Sequence, residues 1–186
     1  MNAATKNVEY ISVERLINQP PMDTNYISIR NYIANNATAP VTGNIKTTPE
    51  QLANMLEKDC NKALSLVEAI KPKQNKSLLY EIADIKTWAY LGLHFAEKIR
   101  GGLALQKFRL QGGKDNKETA VLHLIKSLNY WDSIIKITKP LYNEMPLVHL
   151  SQQGGKETNE NFYRTFHWSK LRSYVVKDVE MAEALH

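Results

Sequence analysis

Between residues 77 and 110, apolar positions recur at steps of three and four: Leu78, Ile82, Ile85, Ala89, Gly92, Ala96, Ile99 and Leu103. Such spacing returns to one side of an α-helix. Trp88, Leu91 and Phe95 widen the stripe. A helix this long and this one-sided cannot stand alone in water and requires partner helices. Gly101 and Gly102 interrupt the run, and each Gly costs about 1 kcal/mol relative to Ala in a helix. The apolar pattern resumes at Leu103, Ala104 and Leu105. Continuation is therefore expected, with a kink or a closely approaching neighbour at the glycine pair. Gly112-Gly113 supplies the stop.

The partners are present on both sides. Thr48-Pro49-Glu50-Gln51 places Thr at an N-cap, Pro at the first helical position and Gln at the capping-box position. Leu52, Met55, Leu56, Cys60, Ala63, Leu64, Val67 and Ile70 follow at helical spacing, and Pro72 ends the run. After Gly113, Val121, Leu124, Ile125, Leu128, Trp131 and Ile135 form a third stripe that stops before Pro140. Leu171, Val175, Val179 and Ala182 form a fourth. The predicted helices are 48–70, 77–110, 116–138 and 168–185, with a long loop over 140–167. Residues 1–47 read as an irregular arm with a short helix near 25–35, and 48–186 as the bundle. Short connections make neighbouring helices antiparallel. The fold class is all-α: an up-down antiparallel bundle of three to four long helices.

Composition narrows the function classes. The 186 residues are 43% hydrophobic and 23% charged, enough for a packed core in one domain. The formal charge of +5 is mildly basic. Basic residues alternate with acids, as in Glu97-Lys98-Ile99-Arg100, which reads as a solvated surface and argues against nucleic-acid binding. One cysteine, Cys60, excludes an internal disulfide and a multi-cysteine metal site. The N-terminus lacks the apolar core of a signal peptide, and no apolar run has the length of a membrane span. The abrupt start at an unanchored arm suggests a fragment of a longer protein.

Candidate chemistry is sparse. Projected at 100° per residue, Glu81 and Arg100 fall on or beside the stripe of the long helix, and Asp132 on that of the next. Charges facing a core must be paired, and Arg100 is long enough to reach Asp132, a pair read first as a structural device that fixes register and, in the alternative, as part of an acid/base site inside the bundle with Glu81. The five histidines lack an i, i+4 partner, so no metal and no cofactor is expected. Gly112-Gly113-Lys114 and Gly154-Gly155-Lys156 fail as phosphate loops, since Asp115 and Glu157 stand where Ser or Thr is required. Tyr142, His149, His167 and Trp168 gather around the long loop and are candidates for a domain contact or a cleft wall.

Four strings carry a resemblance: TPEQLANMLEKDCNKALSLV, EIADIKTWAYLGLHFAEKIRGGLAL, AVLHLIKSLNYWDSIIKIT, and PLYNEMPLVHL with FHWSKLRSYVVKDVEMA. Together they resemble the C-terminal helical region of secreted, α-glucuronidase-like glycoside hydrolases of Bacteroidetes. The resemblance spans residues 25–184. It implies a parent protein with a catalytic barrel, periplasmic or extracellular, whose catalytic carboxylates lie outside this chain. It implies a non-catalytic module that buttresses the barrel, with the preceding catalytic domain as partner and polysaccharide as the parent's substrate. The alternative reading of the residues is a free-standing interaction or scaffold bundle with no enzymatic role.

Overall fold

The computed structural model describes residues 10–35, 46–146, 150–153, 156–159 and 165–185. Among the described residues six α-helices follow one another: α1 Val13–Asn18, α2 Ile29–Ala34, α3 Pro49–Glu68, α4 Lys76–Gln111, α5 Lys114–Thr138 and α6 Arg172–Glu183. The fold is an all-α bundle in which α3 and α5 both run antiparallel to α4. Glu50 faces Lys107 and Glu57 faces Arg100 on one flank. His94 faces Ser127 on the other. Helix α6 runs antiparallel to α5, with Arg172 beside Asp132 and Leu185 beside Lys117.

Local chemistry sets the helix ends. Thr48 accepts from the Gln51 amide at 3.1 Å and Gln51 returns a bond to the Thr48 amide at 2.9 Å, closing the capping box on α3. Asn75 caps α4 through the Leu78 amide. Gly112 and Gly113 adopt φ of 70° and 93°, the left-handed region that costs glycine least, and turn α4 into α5.

The α4 helix runs unbroken through Gly101 and Gly102, and close approach explains both residues. A Cβ on Gly101 would sit 2.9 Å from Leu124 of α5, and one on Gly102 would sit 3.1 Å from Ile29 of α2. Val13 and Ile17 of α1 also press on Gly102. Helix α5 on one side and α1 with α2 on another thus pack against α4 at one level.

Three differences from the sequence reading concern its ends and loop. Helix α1 lies where an irregular arm was expected, with Ser12 as its cap and fully buried Val13 and Ile17. Six residues are too few for a periodic signal. The short helix near 25–35 covers only Ile29–Ala34, because Ser28 caps it. Over 140–167, Met145–Pro146 pairs with Thr165–Phe166, and Leu150–Gln153 pairs with Lys156–Asn159, both antiparallel. Leu150 apart, the latter strands are polar and show no apolar alternation to reveal them. A 3-10 turn, Trp168–Leu171, leads into α6.

Candidate functional site

Charged groups converge in two places on α4, one sealed and one open. The sealed one is centred on Lys98, whose side chain is fully buried. An ammonium has three donors, and here each finds an acceptor. Lys98 Nζ donates to the Tyr10 hydroxyl, to the Ile11 carbonyl at 2.7 Å and to Asp178 Oδ2 at 3.0 Å. It also lies 3.9 Å from the Tyr10 ring centroid. Tyr10 donates to Asp178 Oδ2 at 3.0 Å, and the Val13 amide donates to Oδ1 at 2.9 Å. Burial pulls the Lys98 pKa down to about 8 against the opposing pull of Asp178. Burial, then Asp178, pushes the Tyr10 phenol well up. The network ties the segment before α1 to α4 and α6.

One turn earlier, His94 is equally buried. Its Nδ1 lies 3.0 Å from the Ser127 carbonyl and 2.8 Å from Ser127 Oγ, while that hydroxyl donates to the His94 carbonyl at 3.0 Å. Two acceptors facing Nδ1 fix the proton there. Nε2 meets no hydrogen-bonding group of the protein. The ring packs 4.9 Å from Trp131. Burial first, and Lys98 second, lower its pKa to about 3, so the imidazole is neutral.

The open site is a cavity of roughly 350 Å³ over the C-terminal half of α4, between α3 and α5. Leu103 and Ala104 contribute the apolar part of its lining. Arg100 is held in place there: it donates to Glu97 Oε1 at 2.7 Å, Asn54 Oδ1 at 2.9 Å and Glu57 Oε2 at 2.5 Å. Burial disfavours the guanidinium charge, but the Glu57 and Glu97 bonds outweigh it and raise the pKa. Glu97 is itself buried and receives His123 Nδ1 on its other oxygen at 2.7 Å. Burial opposes its charge as well, and the His123 and Arg100 bonds prevail and lower its pKa. Glu97 thereby orients the His123 ring and leaves Nε2 as its one uncommitted polar atom. Asn116, Thr119 and the loosely paired Lys107 (3.9 Å from Glu50) complete the polar lining.

The structure separates the residues that the sequence pattern grouped. Glu81 is exposed and not in the core. Arg100 and Asp132 do not pair. With His94 level with Ser127, Asp132 lies level with residue 89, about three turns or 16 Å along α4 from Arg100. Asp132 instead makes a bidentate pair with Arg172 at 2.7 and 2.9 Å on the surface. Tyr142 donates to Asp84 at 2.5 Å. His167 is buried, where Nδ1 accepts from the Ser169 amide at 3.1 Å and caps the 3-10 turn. Trp168 is half-buried, 5.5 Å from Trp131, whose indole donates to the Trp168 carbonyl. His149 lies outside the described residues.

Lys98 and Glu97 overturn the surface reading of Glu97-Lys98-Ile99-Arg100. The available signal was the neighbouring glycine pair: a helix approached closely on two sides there has little surface left for charges.

Among the described residues, no group of three or more His, Cys, Asp or Glu is placed to hold a metal ion, and no helix is long and apolar enough to cross a membrane. What fold and sites define is an all-α bundle with a saturated buried charge network and a small polar cavity. No protein-family model, curated protein or solved structure matches the chain.

Proposed function

We propose that the chain is a non-catalytic helical module of a carbohydrate-active enzyme of the α-glucuronidase-like type, packed against the catalytic domain of the same parent protein. The parent is a secreted polysaccharide-degrading protein of Bacteroidetes. One observation carries the docking part of this reading. Trp88 is 66% exposed and Ile85 41% exposed on the N-terminal half of α4. Gly102 lies within about 40° of Trp88 around that helix, about four turns further on. There the side is covered by Val13, Ile17 and Ile29. One face of α4 is thus clad by the protein's own short helices at one end and bare, with an indole on it, at the other. A bare aromatic and aliphatic ridge continuous with an internal packing surface suits a neighbouring domain. The sealed Lys98 network supports a structural role for the bundle interior, since its donors and acceptors satisfy one another.

The purified chain is expected to release no product from aryl glycosides or glucuronoxylan fragments. Turnover that survives repeated purification sinks the module reading. The same ridge also suits a free-standing scaffold that docks another protein. Expression joined to the reading frame upstream separates the two: a module buries Trp88 against its own parent, read as a blue shift in its emission, whereas a scaffold leaves it exposed.

A further inference from the structure

The cavity between α3, α4 and α5 goes beyond a buttressing role, and it lies about four turns along α4 from the bare ridge. We infer that it binds a small uncharged molecule carrying adjacent hydroxyl groups. Size comes first: roughly 350 Å³ is at the lower end of small-ligand sites, enough for one ring-sized molecule. The lining comes next. Leu103, Ala104 and the aliphatic stems of their neighbours supply much of the wall, but seven of the nine lining residues carry a polar group, so a wholly apolar occupant would strand donors and acceptors.

Charge decides between the polar classes. Glu50, Glu57 and Glu97 face only two permanent cations, Arg100 and Lys107. Arg100 spends three of its five donors on Glu97, Glu57 and Asn54, so two carboxylates already answer its charge. An anion is therefore disfavoured. Glu50 is also spoken for, accepting the Tyr32 hydroxyl at 3.0 Å with one oxygen and facing Lys107 with the other. An ammonium thus finds no open carboxylate pair. What remains is mixed: the amide of Asn54 beyond its bond to Arg100, the amide of Asn116 beyond its bond to Gly112, the Thr119 hydroxyl and His123 Nε2. Free donors together with free acceptors match hydroxyl groups, each of which both gives and takes a hydrogen bond. The site is also pre-organised, because buried Glu97 fixes both Arg100 and His123 before any ligand arrives.

The test is a titration of the labelled protein by NMR, following the Asn54 and Asn116 side-chain amides and the His123 ring. Glucose, xylose and myo-inositol are the uncharged probes, inorganic phosphate the anion and ethylammonium the cation, each raised to about 100 mM to reach weak affinities. At least one uncharged probe is expected to give saturable shifts confined to these groups. Thr119→Trp, at the exposed rim, and Asn54→Leu are each expected to weaken binding at least about tenfold, with the buried His94 signals unchanged as proof of folding. Absence of saturable shifts with all three uncharged probes overturns the inference. So does preferential binding of phosphate or ethylammonium, or unchanged affinity in both folded variants. None of these outcomes bears on the module reading, which rests on the N-terminal half of α4 and on hydrolysis assays.

Discussion

Acidification from pH 7 to pH 5 should cost the fold about 2 kcal/mol, nearly all of it through His94. The ring has no exposed surface, its Nδ1 proton is shared between two Ser127 oxygens, and its Nε2 faces no acceptor. A second proton would create a charge against Trp131 and near the Lys98 ammonium. The folded pKa of about 3 therefore lies below the ordinary 6.5. Between those values the unfolded chain holds one proton more than the folded one, so stability rises with pH and is lost as pH falls. Each unit inside the window is worth about 1.4 kcal/mol. Glu14 and Glu97 also have lowered pKa values, but from 4.5, so their losses fall mainly below pH 5. Urea unfolding followed by circular dichroism at pH 7, 6 and 5, at one ionic strength, reads the effect directly. His94→Gln, which keeps a donor for Ser127 but cannot titrate, should be less stable at pH 7 and nearly flat to pH 5. Superimposable wild-type curves at pH 7 and 5, or an equal slope in the variant, would refute the reasoning.

Three further outcomes follow from packing and charge. Replacing Asp178 by Leu strands the buried Lys98 ammonium and should cost about 3–5 kcal/mol, while adding Lys98→Met should recover much of that loss; a double variant no better than the single one in chemical denaturation rejects the pairing. Gly101→Ala places a methyl 2.9 Å from fully packed Leu124, so overpacking of about 1–3 kcal/mol should exceed the ~1 kcal/mol helix-propensity gain; a raised melting temperature contradicts the close approach. Trp88 should be open to acrylamide quenching while Trp131, 3% exposed, is protected, and Trp88→Ala should change stability by no more than about 0.5 kcal/mol; a large loss means that the indole packs on the bundle.

The long helices were legible because their causes are local. Thr48 to Gln51 announce the start of α3, the three-and-four spacing marks α4 and α5, and Gly112-Gly113 marks the turn between them. The sites were not legible because their causes are distant. Lys98 sits among alternating charges that look solvated, and its partners Tyr10 and Asp178 come from the two extremes of the described chain. Arg100 was correctly read as needing a partner, but carboxylates on its own helix and on α3 answered it, one turn and one groove away. Projection along a single helix shows that a charge leans inward without showing which neighbour it meets. Helix α1 was missed for a related reason, since its six residues derive their order from Gly102 and Asp178.

The Lys98 network joins residues 165 and 168 positions apart in the sequence. Closing so large a loop is entropically slow, whereas α3, α4 and α5 meet through short connections. Assembly should therefore proceed from the hairpins at the centre outward, with α1 locked in place only once α6 supplies Asp178. During synthesis on the ribosome the lysine can meet the Tyr10 hydroxyl and the Ile11 carbonyl early, but it lacks its counter-charge until α6 emerges. The network thus acts as a late latch: hydrogen exchange should find α1 and α6 opening together, as one cooperative unit, ahead of the three-helix centre.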